Sequence, residues 1–301
     1  FNLISYKVKG SIKKINLKVK KSFVVKDINF NFIADRDMTL INSFSAKYKD
    51  ILVENGSIDL TRKKNIEIKG KFNSQFNLNE SQLNQFLIKE NFFLQNKIET
   101  EGSVLHEFNL IINNNFKIID YNFKSSGKIL KSKIILKNIF KNELIDKPIK
   151  KILFEEIKLK INFNKSNKNL LMLDGFYSTD GSNYKKFKIK NNLKKNNQNY
   201  LIDLNLSENF FFEVINFRIG AKKTTNIKSE IEIKNNKFIF KSLNLTEGKN
   251  FLSIKGLVLS RKNEVKKIDS IELITFNKNK ENNNFKIDFK KKIIISGKKY
   301  D

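Results

Sequence analysis

Glu230-Ile-Glu-Ile-Lys234, Asn235-Asn236, Lys237-Phe-Ile-Phe-Lys241 is the stretch that decides the fold. On each side of an asparagine pair, apolar residues alternate with charged ones. A period of two puts successive side chains on opposite faces, so each arm reads as a strand with one apolar face. Ile and Phe are good strand formers, so propensity agrees with pattern. Asparagine tolerates the left-handed backbone that a tight turn needs, and the whole stretch reads as a two-residue β-hairpin.

The same alternation recurs outward from this hairpin. It runs through Ile15, Leu17 and Val19, then through Ile28, Phe30 and Phe32. It returns at Ile157, Leu159, Ile161 and Phe163, at Ile202, Leu204 and Leu206, at Leu243 and Leu245, and at Phe285, Ile287 and Phe289. Asn113-Asn114-Asn115 separates strands expected at Phe108–Ile112 and Phe116–Ile119. Asn191-Asn192, Asn196-Asn197 and Asn282–Asn284 are expected breaks, and Asp174-Gly175 and Asp180-Gly181 are expected turns. Connections this short make neighbouring strands pair, so the expected fold is mainly β, a long antiparallel meander of about twenty strands. Gly recurs before or within strands at Gly10, Gly56, Gly70, Gly102, Gly127 and Gly256, without a fixed period.

One helix is expected, over 79–89. Asn79 is placed as N-cap with Gln82 three residues on, Leu78 and Leu83 are spaced as a hydrophobic staple, and Leu83, Phe86 and Leu87 form one apolar stripe. The stretch 141–155, holding the sole proline, Pro148, is expected to be an irregular connection. It divides a β-rich segment 1–140 from a second, 156–301, that continues the same sheet.

Composition bounds the rest. Hydrophobic residues make up 40% of 301 residues, with 28 Phe, too apolar for a disordered chain. There are 59 Lys+Arg against 31 Asp+Glu, a net charge of +28. Arginine, the side chain that forks onto phosphates and base edges, occurs only at Arg36, Arg62, Arg218 and Arg261. Lys, Asn, Ile and Phe, all read from A/T-rich codons, rise together, and alternation puts Lys and Phe on opposite faces. The basic side therefore reads as a solvated face, and nucleic acid is not the expected partner.

The chemistry of catalysis is not written in this sequence. There is no cysteine, which excludes disulfides, thiolate metal sites and Cys nucleophiles. There is no Walker loop, no G-x-G-x-x-G and no His-Glu-x-x-His, so no cofactor or metal is expected. His106, the one histidine, sits in an expected strand with Glu107 on the opposite face, which makes it a surface or half-buried strand residue rather than a general base. Asp35 and Asp37 flank Arg36 without the further ligands a carboxylate cage requires, and read as a turn. No run approaches the ~20 apolar residues of a membrane span. The chain opens at Phe1 and stops mid-pattern at Tyr300-Asp301, and reads as a piece of a longer protein.

Several stretches carry a family resemblance. Phe76–Phe86 with its helix, Gly102-Ser-Val, Phe116-Lys-Ile-Ile and Tyr121-Asn-Phe-Lys-Ser-Ser-Gly-Lys-Ile resemble the AsmA-like family, in particular its YhdP-type branch. Phe251-Leu-Ser-Ile-Lys-Gly256, Ile268-Asp-Ser-Ile-Glu-Leu and Ile293-Ile-Ile-Ser-Gly297-Lys-Lys-Tyr-Asp301 are similar to its strands and closing Gly-x-x-x-Asp. The Lys and Asn bias departs from typical members. The resemblance implies a sheet curled into an open trough whose apolar face holds phospholipid acyl chains. It also implies an inner-membrane anchor in the parent protein, a periplasmic location and support of lipid transport to the outer membrane.

On that reading the groove lining is Phe30, Phe32, Ile66, Ile68, Phe72, Phe76, Ile161, Phe163, Ile231, Ile233, Phe238, Phe240, Phe285, Ile287 and Phe289. The same residues would serve equally as the dry core of two packed β-sandwiches in a structural or adhesive protein. A non-specific polyanion binder is the third reading. Periodicity does not separate the groove from the core.

Overall fold

The computed structural model describes residues 5–20, 23–86, 96–140, 148–166, 169–192, 198–206, 210–212, 217–219, 224–235, 237–260, 264–277 and 279–299. Its strands are long and antiparallel, and all but two short ones belong to one 18-stranded sheet. Chain contacts divide it into two units, Phe1–Ile135 with Glu155–Leu170, and Leu136–Phe154 with Leu171–Asp301.

The first unit is a meander of β1 (Lys7–Lys20), β2 (Phe23–Asp35), β3 (Met38–Tyr48), β4 (Ile51–Arg62), β5 (Ile66–Asn79) and β6 (Lys97–Ile112). It also takes in most of β7 (Ile118–Phe140) and the later part of β8 (Ile149–Asn164). Each strand from β1 to β7 pairs with the next in sequence.

A helix, α1 (Glu80–Phe86), interrupts the meander after β5. Its cap is the reciprocal box expected from Asn79 and Gln82. The Asn79 amide donates to Gln82 Oε1 at 2.6 Å, and the Gln82 amide donates to Asn79 Oδ1 at 3.1 Å. Gln82 Nε2 also donates to Asp50 Oδ2, tying the cap to the β3–β4 turn. Leu78, the staple residue, is buried. Leu87 and Lys89 lie outside the described residues.

A belt of β-bulges crosses this unit. The ladder shifts register between Ile12 and Ile15, Lys26 and Asn29, Ile41 and Phe44, and Glu54 and Ser57. Within those gaps Lys14, Asp27, Ser43 and Asn55 take positive φ of 57°, 52°, 54° and 53°. Four neighbouring strands thus carry an extra residue, and bulges bend a strand and raise its twist. The apolar pattern changes phase with them, from Ile51 and Val53 to Gly56, Ile58 and Leu60, so one face stays apolar throughout.

The second unit takes in the end of β7 and the start of β8 and continues as β9 (Leu170–Ser178), β10 (Lys185–Asn191), β11 (Gln198–Leu206), β14 (Thr225–Lys234), β15 (Lys237–Glu247) and β16 (Asn250–Ser260). It closes with β17 (Val265–Lys267), β18 (Ser270–Asn277), β19 (Lys280–Phe289) and β20 (Ile293–Lys299). A separate two-stranded ladder, β12 (Phe210–Phe212) with β13 (Phe217–Ile219), stands between β11 and β14. From β9 onward the main-sheet strands pair in sequence order, with β16 carrying both β17 and β18 on one side. Lys234 pairs with Lys237 around Asn235, which has φ of 49°, so the hairpin that opened the sequence reading is present.

Four local expectations are corrected. Asp174-Gly175 is no turn but lies inside β9, with Gly175 buried opposite Phe187. Asn282–Asn284 is no break: β19 runs through it, and the register shift between Thr275 and Phe276 leaves Asn282 as the extra residue of a bulge. Phe116 is not a strand residue but the tip of the β6–β7 turn, with φ of 55° and 80% exposure. Residues 149–155 are the start of β8 rather than an irregular connection, while 141–147 lie outside the described residues. At 174–175, 282–284 and 149–155 local composition favoured a turn or loop and cross-strand pairing overrode it, whereas at Phe116 strand propensity gave way to the turn.

Candidate functional site

Register converts the alternation into rows of apolar side chains running across strands. In the second unit one row passes from Phe187 through Leu204, Ile227, Leu245, Leu252 and Leu273 to Phe285. A parallel row passes from Leu173 through Ile189, Ile202, Ser229, Leu243, Ile254, Ile271 and Ile287 to Ile295. Leu245, Leu252 and Leu273 are almost fully buried, and what packs on them is Ile227, Ile254, Ile271 and Phe285, all from the same face of the same sheet. In the first unit a row runs Phe32, Ile41, Ile58, Gly70, Phe108, Phe123, and another Thr39, Leu60, Ile68, Leu110, Tyr121.

The glycines in these strands have a shared role that the sequence pattern did not reveal. Gly10 faces Phe32, Gly56 faces Phe44, Gly70 faces Phe108, Gly102 faces Phe76, Gly175 faces Phe187 and Gly297 faces Phe285. A methyl built on Gly10 would lie 2.7 Å from the Phe32 ring, so the ring occupies the space a side chain would fill. At Gly10, Gly56, Gly70 and Gly102 the aromatic ring covers the bare backbone and keeps the apolar surface continuous over a residue with no side chain. At Gly175 two rings converge, Phe154 and Phe187 meeting edge-on with centroids 5.4 Å apart.

Each expected groove residue lies on this apolar surface where its register is described. Phe32 and Ile68 lie on the first-unit rows, and Phe30, Ile66, Phe72 and Phe76 share their face, two, four or eight residues along the same strands. Ile231 pairs with Phe240 and Ile233 with Phe238, while Phe285, Ile287 and Phe289 continue the second-unit rows on β19. Ile161 and Phe163 stand on β8, within the first unit. None of the fifteen is buried. Fourteen are half-buried and Phe163 is 39% exposed. The deepest apolar positions are instead Leu245, Leu252 and Leu273, which only the register picks out.

His106 is the centre of a polar cluster on the first unit's apolar face. Its Nε2 lies 2.8 Å from Ser74 Oγ and its Nδ1 lies 2.8 Å from Ser125 Oγ, one serine from each flanking strand. Phe72 and Phe123 place their rings 4.8 Å and 5.8 Å away. Burial in this apolar setting holds the imidazole pKa below its ordinary value and favours the neutral ring. Ser74 and Ser125 are themselves buried, and Ser74 Oγ donates to the Val104 carbonyl at 3.4 Å. The arrangement satisfies its own polar groups, and the orienting partner of the ring is a hydroxyl where a hydrolytic triad has a carboxylate. Glu107 points to the other face, where it meets Lys71 at 3.6 Å.

That other face carries the charge. Glu99 pairs with Lys133 at 3.7 Å, Lys228 with Asp203 at 3.8 Å and Lys241 with Glu230 at 2.8 Å, all partly exposed. The acidic turn residues are local caps: Asp35 Oδ1 accepts from the amides of Asp37 and Met38. Asp180 accepts from the amides of Ser182 and Asn183, which hold its carboxyl well below the usual range. Among the described residues no group of three or more His, Cys, Asp or Glu could hold a metal ion.

The fold and the face together define an open antiparallel meander, apolar on one side and lysine-rich on the other. No protein-family model, curated protein or solved structure matches the chain.

Proposed function

We propose that this chain is a non-catalytic, lipid-handling segment of the AsmA-like kind, holding phospholipid acyl chains against its apolar sheet face. The parent protein would be anchored in an inner membrane and cross the periplasm, supporting phospholipid movement to the outer membrane. The observation that carries the reading is the long apolar sheet face on which all fifteen candidate residues stay only half-buried or exposed. An apolar surface of this extent is otherwise a liability in water. An acyl chain suits it: each methylene removed from water contributes about 0.8 kcal/mol, and a flexible chain can follow a row from strand to strand.

Native mass spectrometry of the purified chain is the test. The expected result is a population carrying phospholipid, reduced when Phe238 and Phe240 are changed together to serine. A chain that is lipid-free when isolated and takes up no phospholipid from micelles would leave the face as a dry structural core, and the groove reading would be abandoned.

A further inference from the structure

Strand β20 is an open edge of the second unit. Ile293 to Gly297 pair in unbroken register with Phe289 to Phe285, and β19 is the one strand β20 pairs with among the described residues. Along an antiparallel ladder, successive residues turn their N–H and C=O alternately to one neighbour and to the other. The Phe289 amide donates to the Asp269 carbonyl at 2.9 Å, on the side away from β20. Phe289 and Ile293 are therefore a non-hydrogen-bonded pair, and Ile293, Ile295 and Gly297 turn their N–H and C=O groups to the open edge. The side chains there are bare as well, with Ile293, Ile294 and Ile295 exposed to 66%, 51% and 56%.

Native sheets protect an edge with lysines, bulges or a cover, because a bare edge pairs with the strands it meets. The edge of the first unit, β1, has two of these devices. Lysine recurs along it from Lys7 to Lys18, and Lys14 sits in a bulge with φ of 57°. In β20 the lysines stand outside the regular stretch, at Lys290–Lys292 before it and Lys298–Lys299 after it. Lys290, Lys291, Lys292 and Lys298 form no ion pair among the described residues. Between the two clusters lies Ile-Ile-Ile-Ser-Gly, which carries nothing that deters pairing.

We infer that β20 is a docking edge for an extended segment of another polypeptide, apolar at alternate positions in its middle and acidic at both ends. The segment adds as a further strand. Its backbone bonds to Ile293, Ile295 and Gly297, and its carboxylates meet the two lysine clusters. Its apolar side chains continue the face that Ile293 and Ile295 share with Phe289 and Ile287. A second copy of this chain is a poorer fit. Laying β20 antiparallel on β20 about Ile295 brings Lys291 and Lys292 against Lys299 and Lys298, and β1 offers further lysines. The edge is a backbone feature, so the inference stands apart from whether the apolar face holds lipid.

The test is fluorescence anisotropy of the full chain with a labelled peptide, Asp-Glu-Val-Thr-Val-Thr-Val-Glu-Asp, joined to hydrogen exchange of the complex. Saturable binding is expected, with exchange slowed across Ile293–Gly297 and unchanged along β1. The same peptide with lysine in place of its four acidic residues should bind about tenfold more weakly, and K290Q/K291Q/K292Q should bind the acidic peptide about fivefold more weakly. Ile295→Pro removes an N–H that points off the edge and should abolish binding. Ile293→Lys keeps every backbone group, adds an edge charge and should weaken binding about tenfold. Thermal unfolding of each variant reports whether the fold is kept. No binding of the acidic peptide, equal binding of the lysine peptide, protection on β1 instead, or indifference to both Ile295→Pro and Ile293→Lys would each overturn the inference. So would a concentration-dependent dimer that Ile293→Lys abolishes, which would give the edge to a second copy. The Phe238 and Phe240 serine variant should bind the peptide as the parent does, so failure of the edge and failure of the groove are read separately.

Discussion

At the scale of single residues, His106 is the clearest case of a position whose meaning depends on its neighbours. Alternation puts it on a half-buried strand face, but only the register brings Ser74 and Ser125 to its two nitrogens. Because burial lowers its folded pKa, the unfolded chain binds the proton more readily. Stability should be full above the ordinary histidine pKa and fall as pH drops through about 6.5 toward the folded value. Urea midpoints measured between pH 7.5 and 5.5 should show this fall, and His106→Gln should flatten it, since no other histidine titrates there. The glycines give a second prediction. A methyl on Gly127 would lie 2.6 Å from the backbone Cα of Val104, which cannot swing aside. A methyl on Gly70 meets only the far end of the Phe108 ring, which can. Gly127→Ala should therefore lower unfolding free energy by about 2 kcal/mol and Gly70→Ala by less, in denaturant titrations of each. The glycines were visible in the sequence, but their partner rings are from 12 to 38 residues away along the chain.

At the scale of elements, the short helix was legible because its signal is local. Asn79 and Gln82 cap each other within four residues, and Asn79→Ala should remove about 1 kcal/mol, measurable as a lowered unfolding midpoint. The bulges were less legible. Each appears in the sequence as a one-residue slip in the apolar phase, as between Val53 and Gly56, and such a slip reads equally well as a strand end. The pairing of both neighbours decides between them. Ser43 holds φ of 54°, a region that disfavours side chains with a Cβ. Ser43→Gly should stabilise the first unit by about 1 kcal/mol, and Ser43→Val should destabilise it, by the same denaturant measurement. Asn282–Asn284 teaches the same lesson in the second unit, where residues typical of turns sit inside β19 because their partner strand continues past them.

At the scale of the whole molecule, the apolar rows separate deep positions from accessible ones. Leu252, 2% exposed and packed by its own sheet face, should cost about 2–5 kcal/mol when truncated to alanine. Phe238, half-buried on the same unit, should lose less stability for a larger side chain but more lipid, read as the co-purified phospholipid fraction. If both truncations cost stability alike and neither alters bound lipid, the face is a core. Of the +28 charge, much alternates with apolar residues along the strands and faces solvent.

What the sequence determined by itself is the strand: a period of two in Ile, Leu and Phe, with asparagine turns short enough to force neighbours to pair. Side-chain direction and turn length are local properties, and local properties survive without a fold. Which residues share a row, which ring covers which glycine, and which serines hold His106 were decided only by register, because each joins residues brought together by pairing along the full length of two strands. The stretch Glu230–Lys241 fixed its own hairpin, but the one-residue slip between Glu230 and Ile231 became visible only against its partner strand.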